Sequence, residues 1–93
     1  MSIARITTVT FNSTDAANKA ADNYATSAPS EFPEAKQLLG VKVDNNILIA
    51  VSLYESKEAM ERADVARGKR LDTNQDVASV DTKIGEVTLN HSN

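Results

Sequence analysis

The chain's 93 residues, 41% hydrophobic and 25% charged, support one globular domain over residues 1–93 and argue against global disorder. With no cysteine and a net charge of −3, a disulfide framework and a thiolate metal site are excluded, and a phosphate-backbone partner is disfavoured. No stretch approaches the ~20 apolar residues of a membrane helix and the first residues lack a signal peptide's apolar core, so a cytoplasmic protein with no membrane and no nucleic-acid partner is expected.

Taken in chain order, Ile3 to Phe11 has strand composition, rich in Thr, Ile, Val and Phe with one charge, and Asn12-Ser13 punctuates its end. Ser13 or Asn12 can cap a helix from Thr14 to about Ser27, with Asp15 in its first turn where a negative charge suits the dipole. At 100° per residue, Ala16, Ala17, Ala20, Ala21, Tyr24 and Ala28 share one face, so the buried side is almost all alanine with Tyr24 as its single bulky group. Such a face either lies close against a sheet or leaves room beneath it. Pro29 is expected to end this helix, and Pro33 to keep residues 30–34 irregular.

Gln37 to Val43 reads as a second strand, and Asp44-Asn45-Asn46 as a tight turn of residues that tolerate left-handed backbone. Ile47 to Tyr54 is the third strand, apolar on both faces, as befits a central strand covered on both sides. Ser56 caps a second helix with Ala59, Met60, Ala63 and Ala66 as its apolar stripe. Gly68 is the expected stop, with Arg67, Lys69 and Arg70 suiting a helix C-terminus. If the helix instead continues, Arg67 and Arg70 join the apolar stripe and can reach an anionic group at a cavity mouth. Between Asp72 and Val80 one further helical turn is expected, capped by Thr73, and Lys83 to Leu89 alternates as the fourth strand.

Strand-helix-strand repeated twice gives an α+β fold: a ferredoxin-like βαββαβ sandwich, with a four-stranded antiparallel sheet in order 4-1-3-2 and both helices on one face. The second apolar face of the third strand then needs a cover that this chain does not supply. A second copy is the simplest one, which makes a homodimer the expected partner.

The run Ile47-Leu48-Ile49-Ala50-Val51-Ser52-Leu53-Tyr54-Glu55-Ser56-Lys57-Glu58-Ala59-Met60, preceded by an Ala-rich helix, a Pro-containing loop and Leu38-Leu39-Gly40-Val41, resembles the dimeric α+β barrels of the antibiotic-biosynthesis-monooxygenase-like group. The resemblance implies a dimer with a ligand cavity between helices and sheet, and it includes cofactor-free quinone-forming monooxygenases and haem-degrading enzymes. Tyr54 stands where the family often has Trp, and residues 67–70 carry no His where haem-degrading relatives place one. The expectation is therefore a protein without cofactor or metal that binds a small apolar or aromatic molecule, with monooxygenase-like chemistry as its enzymatic form. A non-catalytic module with a packed core is the alternative.

Candidate ligand-binding residues are the bulky groups expected near the helix–sheet interface: Tyr24, Phe32, Tyr54 and Met60. A large buried side chain is usually plain core, and a pocket lined by these groups is the functional alternative. The one histidine, His91, sits in the tail, and Glu31, Glu34, Glu55, Glu58 and Glu61 read as solvated surface, so no catalytic group is assigned.

Overall fold

A computed structural model describes residues 2–72 and 74–93. The chain forms β1 (Ile3–Phe11), α1 (Thr14–Glu31), β2 (Ala35–Asp44), β3 (Ile47–Tyr54), α2 (Lys57–Arg62), α3 (Asp64–Asp72) and β4 (Val77–Glu86). The four strands make one antiparallel sheet in the order β2-β3-β1-β4, the ferredoxin-like order expected from the symmetric element plan. The helices cover one face, onto which β1 turns Arg5, Thr7, Val9 and Phe11, all buried. Ser13 and Ser56 cap α1 and α2 in extended conformation, each hydroxyl accepting from the backbone N–H three residues on, at 3.1 and 3.2 Å.

Several boundaries differ from the sequence reading. α1 does not end before Pro29 but runs through it to Glu31. In the last turn proline removes one hydrogen bond only, and burial of Ala28 and Phe32, joined by a 2.9 Å bond from the Phe32 N–H to the Ala28 carbonyl, holds the turn in place. The second helix breaks at Ala63 and then continues past Gly68 to Asp72. Among the described residues no glycine adopts positive φ, so Gly68 is not a left-handed stop. β4 begins at Val77, not Lys83, and ends at Glu86, because β1 offers it a partner at every position from Ile3 to Phe11. That pairing leaves only residues 74–76 for a turn, in place of the expected helical segment; its expected cap, Thr73, lies outside the described residues. The hairpin at residues 44–47 also dispenses with left-handed backbone. Asn46 ties it to β1 by exchanging bonds with Phe11: the Phe11 N–H donates to the Asn46 carbonyl at 2.8 Å, and Asn46 Nδ2 donates to the Phe11 carbonyl at 3.1 Å.

The break at Ala63 coincides with an inward-facing charge. Arg5, with 3% of its surface exposed, donates to the Met60 carbonyl at 3.3 Å and to Asp64 Oδ1, the first residue of α3. Its guanidinium also lies 5.9 Å from the centre of the Tyr54 ring. One buried cation thus fixes the α2–α3 junction against the middle of the sheet. Removing only its counter-charge strands a buried cation, which costs far more than removing both partners. In urea denaturation, Asp64→Ala should lose about 1–3 kcal/mol, less than a fully buried pair because Asp64 is itself half exposed, and the double variant Arg5→Met/Asp64→Ala should recover part of that loss. A double variant no more stable than the single one would refute this role for the pair.

Candidate functional site

The interior is not one continuous core. One cluster packs Ala28, Phe32, Tyr54, Ala59, Met60 and Ala63 at one end of the helix–sheet interface; another packs Val9, Phe11, Ala16 and Ala17 at the other. Between them the sheet presents small side chains in register: Gly40 pairs with Ala50, Ala50 with Thr7, and Thr7 with Thr82. Directly opposed residues on antiparallel strands share a face, so this row crosses the whole sheet beneath the helices. The facing surface of α1 is the alanine stripe. Small residues above and below leave a cleft of about 1210 Å³ between α1, α3 and the sheet.

Three of the four sequence-selected residues meet in this cleft. Tyr54, 1% exposed, and Phe32 close one end, and Tyr24 leans over the floor from α1. A Cβ at Gly40 would stand 3.3 Å from Tyr24 Cδ2, so the absence of a side chain there is what lets the ring lie against β2. Met60 does not line the cleft. It is buried in the core cluster with Phe32, Tyr54, Ala59 and Ala63.

Continuation of α3 past Gly68 brings in groups that the expected stop would have kept outside. Arg67 Nη2 donates to Thr7 Oγ1 at 3.3 Å and Thr82 Oγ1 at 2.6 Å, walling the β4 side. Arg70 binds Glu31 Oε2 from Nε and Nη2 at 3.1 and 2.6 Å, donates to Asn23 Oδ1 at 3.0 Å and to Ser27 Oγ at 2.8 Å, and lies 5.5 Å from the Tyr24 ring centre. It straps α3 to α1 across the cleft mouth. Arg62, the other member of the basic cluster, pairs with Glu34 on the surface instead. Glu55, Glu58 and Glu61 are exposed, as is His91 in the tail. Arg5 was not singled out by the sequence reading, although its signal was present: with Thr7, Val9 and Phe11 it shares the period-two face of β1.

Electrostatics follow from this enclosure. Burial, and then the neighbouring Tyr54, push the Tyr24 phenol above its ordinary value of 10.0, against the pull of the Arg70 charge. Burial lowers the pKa of Arg67, helped by the like charge of Arg5; Asp64 and Tyr54 act the other way. A raised phenol pKa means that the folded state holds its proton longer than the unfolded chain. Stability from this source is complete below the unfolded tyrosine pKa and falls as pH rises through the folded one. With only two tyrosines in the chain, phenolate absorbance on alkaline titration should show a step above pH 10.0 that Tyr24→Phe removes. Titration of Tyr24 at or below the free-tyrosine value would contradict the enclosure.

Neither a family model nor a curated protein matches this sequence. Solved structures do match over nearly the full chain. A dimeric ferredoxin-like protein from an uncultured marine organism is 14% identical, with 99% of this chain and 92% of that one aligned at a TM-score of 0.76. A mutant of SnoaB, a cofactor-independent oxygenase from Streptomyces nogalater, is 14% identical over 96% and 95% at 0.69. A Streptomyces coelicolor monooxygenase in complex with nanaomycin D is 9% identical over 98% and 91% at 0.71. This chain has the ferredoxin-like fold shared by these proteins and by antibiotic-biosynthesis-monooxygenase-like proteins.

Proposed function

We propose that this protein is a homodimer that binds a small, flat aromatic molecule in the cleft between α1, α3 and the sheet. The observation that carries the reading is the divided core. A module meant only for packing would fill the space between α1 and the sheet with large side chains; here the alanines of α1 and Ala50 of the sheet leave it open between Tyr24, which lies on Gly40, and Arg67, which rests on Thr7. Tyr24, Phe32 and Tyr54 supply aromatic walls, and phenol and guanidinium groups supply polar handles. Oxygenase chemistry without a cofactor is the enzymatic extension of this reading, supported by the company of SnoaB and the nanaomycin-bound monooxygenase.

The dimer follows from the opposite sheet face. Ile6, Leu39 and Val41 lie on it, each between 43% and 51% exposed, with Ile49, Val51 and Leu53 of β3 between their strands. An apolar sheet face of this extent, in a fold shared with a dimeric ferredoxin-like protein, is best covered by a second copy. Register decides which residue tests this: Val51 pairs with Ile6 and Leu39 on the bare face, whereas Ser52 pairs with Arg5 and Leu38 on the helix face.

Two outcomes are expected. Val51→Asp should convert dimers to monomers in light scattering while leaving the helical circular dichroism signal in place; a native protein that is a well-folded monomer at micromolar concentration would defeat the dimer. In a thermal-shift screen of fused-ring aromatics, at least one compound should raise the melting temperature of the native protein and not that of Tyr24→Ala. Tyr24→Ala itself should cost about 1–2 kcal/mol, less than the ~3–5 kcal/mol of a filled core, because the cleft already lacks packing there. A full core-sized loss together with no ligand response would favour the packed module. Oxygen consumption with any compound that binds then decides whether the protein is an enzyme.

A further inference from the structure

The walls of the cleft are held shut in different ways. Along β2, Tyr24 lies against Gly40, where a Cβ would stand 3.3 Å from the ring, and Lys42 bonds the Asn18 side chain. Along β1 and β4, α3 is tied to the sheet at two points, by Asp64 on the buried Arg5 and by Arg67 on Thr7 and Thr82. Between α1 and α3 the mouth is spanned by Arg70, which reaches Asn23, Ser27 and Glu31 and stands 5.5 Å from the Tyr24 ring centre. Those three acceptors are spaced i, i+4, i+8, so they form one ridge along α1.

Two features make this span a door. All three nitrogens of the guanidinium are engaged by α1: Nε with Glu31, Nη1 with Asn23, and Nη2 with Ser27 and Glu31. The group is committed to closing the mouth, with its charge already answered, and not to holding a ligand. Its partners nonetheless meet water, since the Glu31 side chain is 40% exposed and Asn23 is exposed as well. An ion pair at such a site contributes little, because water and salt compete for both of its ends. When Arg70 swings out, Asp64 and Arg67 still hold α3 on the sheet. The mouth therefore opens by loss of one side chain's bonds, with no helix unfolding.

We infer that Arg70 is the gate of the cleft: latched on Glu31, Asn23 and Ser27, its side chain bars the mouth between α1 and α3, and ligand passes when it swings out. This rests on the binding reading proposed above and adds to it the control of entry and exit. A gate that closes alike over the empty and the filled cleft changes both rates together and leaves affinity in place. A residue that holds the ligand acts mainly on dissociation.

The test uses N-phenyl-1-naphthylamine, an uncharged fused-ring dye that brightens in apolar surroundings, mixed with the native full-length protein in a stopped-flow fluorimeter. Glu31→Ala removes the latch and should raise association and dissociation rates together, by about five-fold, with the dissociation constant unchanged. Arg70→Gln should raise both rates at least as much. Added salt should speed both rates in the native protein and not in Glu31→Ala, since the dye itself carries no charge. Faster dissociation with unchanged association would make these residues ligand contacts and overturn the gate. Unchanged rates would place entry elsewhere, overturning the gate with the cleft reading intact. A second readout needs no ligand. The chain has no tryptophan, so in Tyr24→Phe the fluorescence of Tyr54, which lines the cleft, stands alone. Acrylamide should quench it more strongly once Glu31→Ala is added, at an unchanged urea midpoint. Equal quenching would overturn the gate whether or not the dye binds, whereas failure of the dye to bind counts against the cleft reading by itself.

Discussion

Everything particular to this protein's interior depends on one packing constraint: an alanine-faced helix lying over a row of small residues in the sheet. Alanine and glycine bring little volume, and close packing is reached only where a large side chain from one layer meets the other. Those large side chains are confined to the two ends, Phe32, Tyr54 and Met60 at one and Val9, Phe11, Leu48 and Leu71 at the other. Between them Gly40, Ala50 and Thr7 occupy one register line, with Tyr24 lying on Gly40 and Arg67 on Thr7, and no large apolar side chain of the sheet fills the gap. A single large apolar residue at any of them would join the two clusters into an ordinary core.

An open middle in so small a domain needs struts, and the arginines supply them. Arg5 ties β1 to the α2–α3 junction, Arg67 spans from α3 to β1 and β4, and Arg70 binds α3 to α1. Each does through hydrogen bonds what hydrophobic contact does elsewhere in the fold. The long side chain with its planar donor fork is suited to crossing a gap, and stacking near Tyr54 and Tyr24 adds a favourable contact along the way. Such struts come at a cost of their own, because burying a cation is unfavourable unless its charge is met. Asp64 and Glu31 meet two of the three. The same residues that hold the helices over the cleft therefore set its electrostatic character.

The two faces of the sheet divide the labour. On the helix side, residues of alternating register form the cleft; on the other side, the intervening residues Ile6, Ile49, Val51 and Leu53 form an apolar plate. Because side chains alternate strictly along a strand, a one-residue slip would exchange the two sets. Register in β3 thus decides which side chains face the cleft and which the apolar plate, and Asn46, which locks the β2–β3 hairpin onto Phe11, helps to set it.

By itself, the sequence determined the element order, both serine caps, the strand order and the alanine face of α1. These are local or periodic signals: a cap is written within four residues and a face within two helical turns. It also placed Tyr24, Phe32 and Tyr54 near one interface. Only the tertiary structure decided the rest. Whether Pro29 or Gly68 ends a helix depended on contacts made by Phe32 and Arg70 with distant elements, which outweigh a single propensity. β4 moved six residues upstream because a partner strand, not its own alternation, sets where pairing begins. Above all, the row from Gly40 to Thr82 joins residues from four strands that are far apart in the chain. No window of sequence contains that row, so the alanine face left open whether α1 lies close or leaves room, and the alternative in which Arg67 and Arg70 reach a cavity mouth was decided only when α3 ran past Gly68.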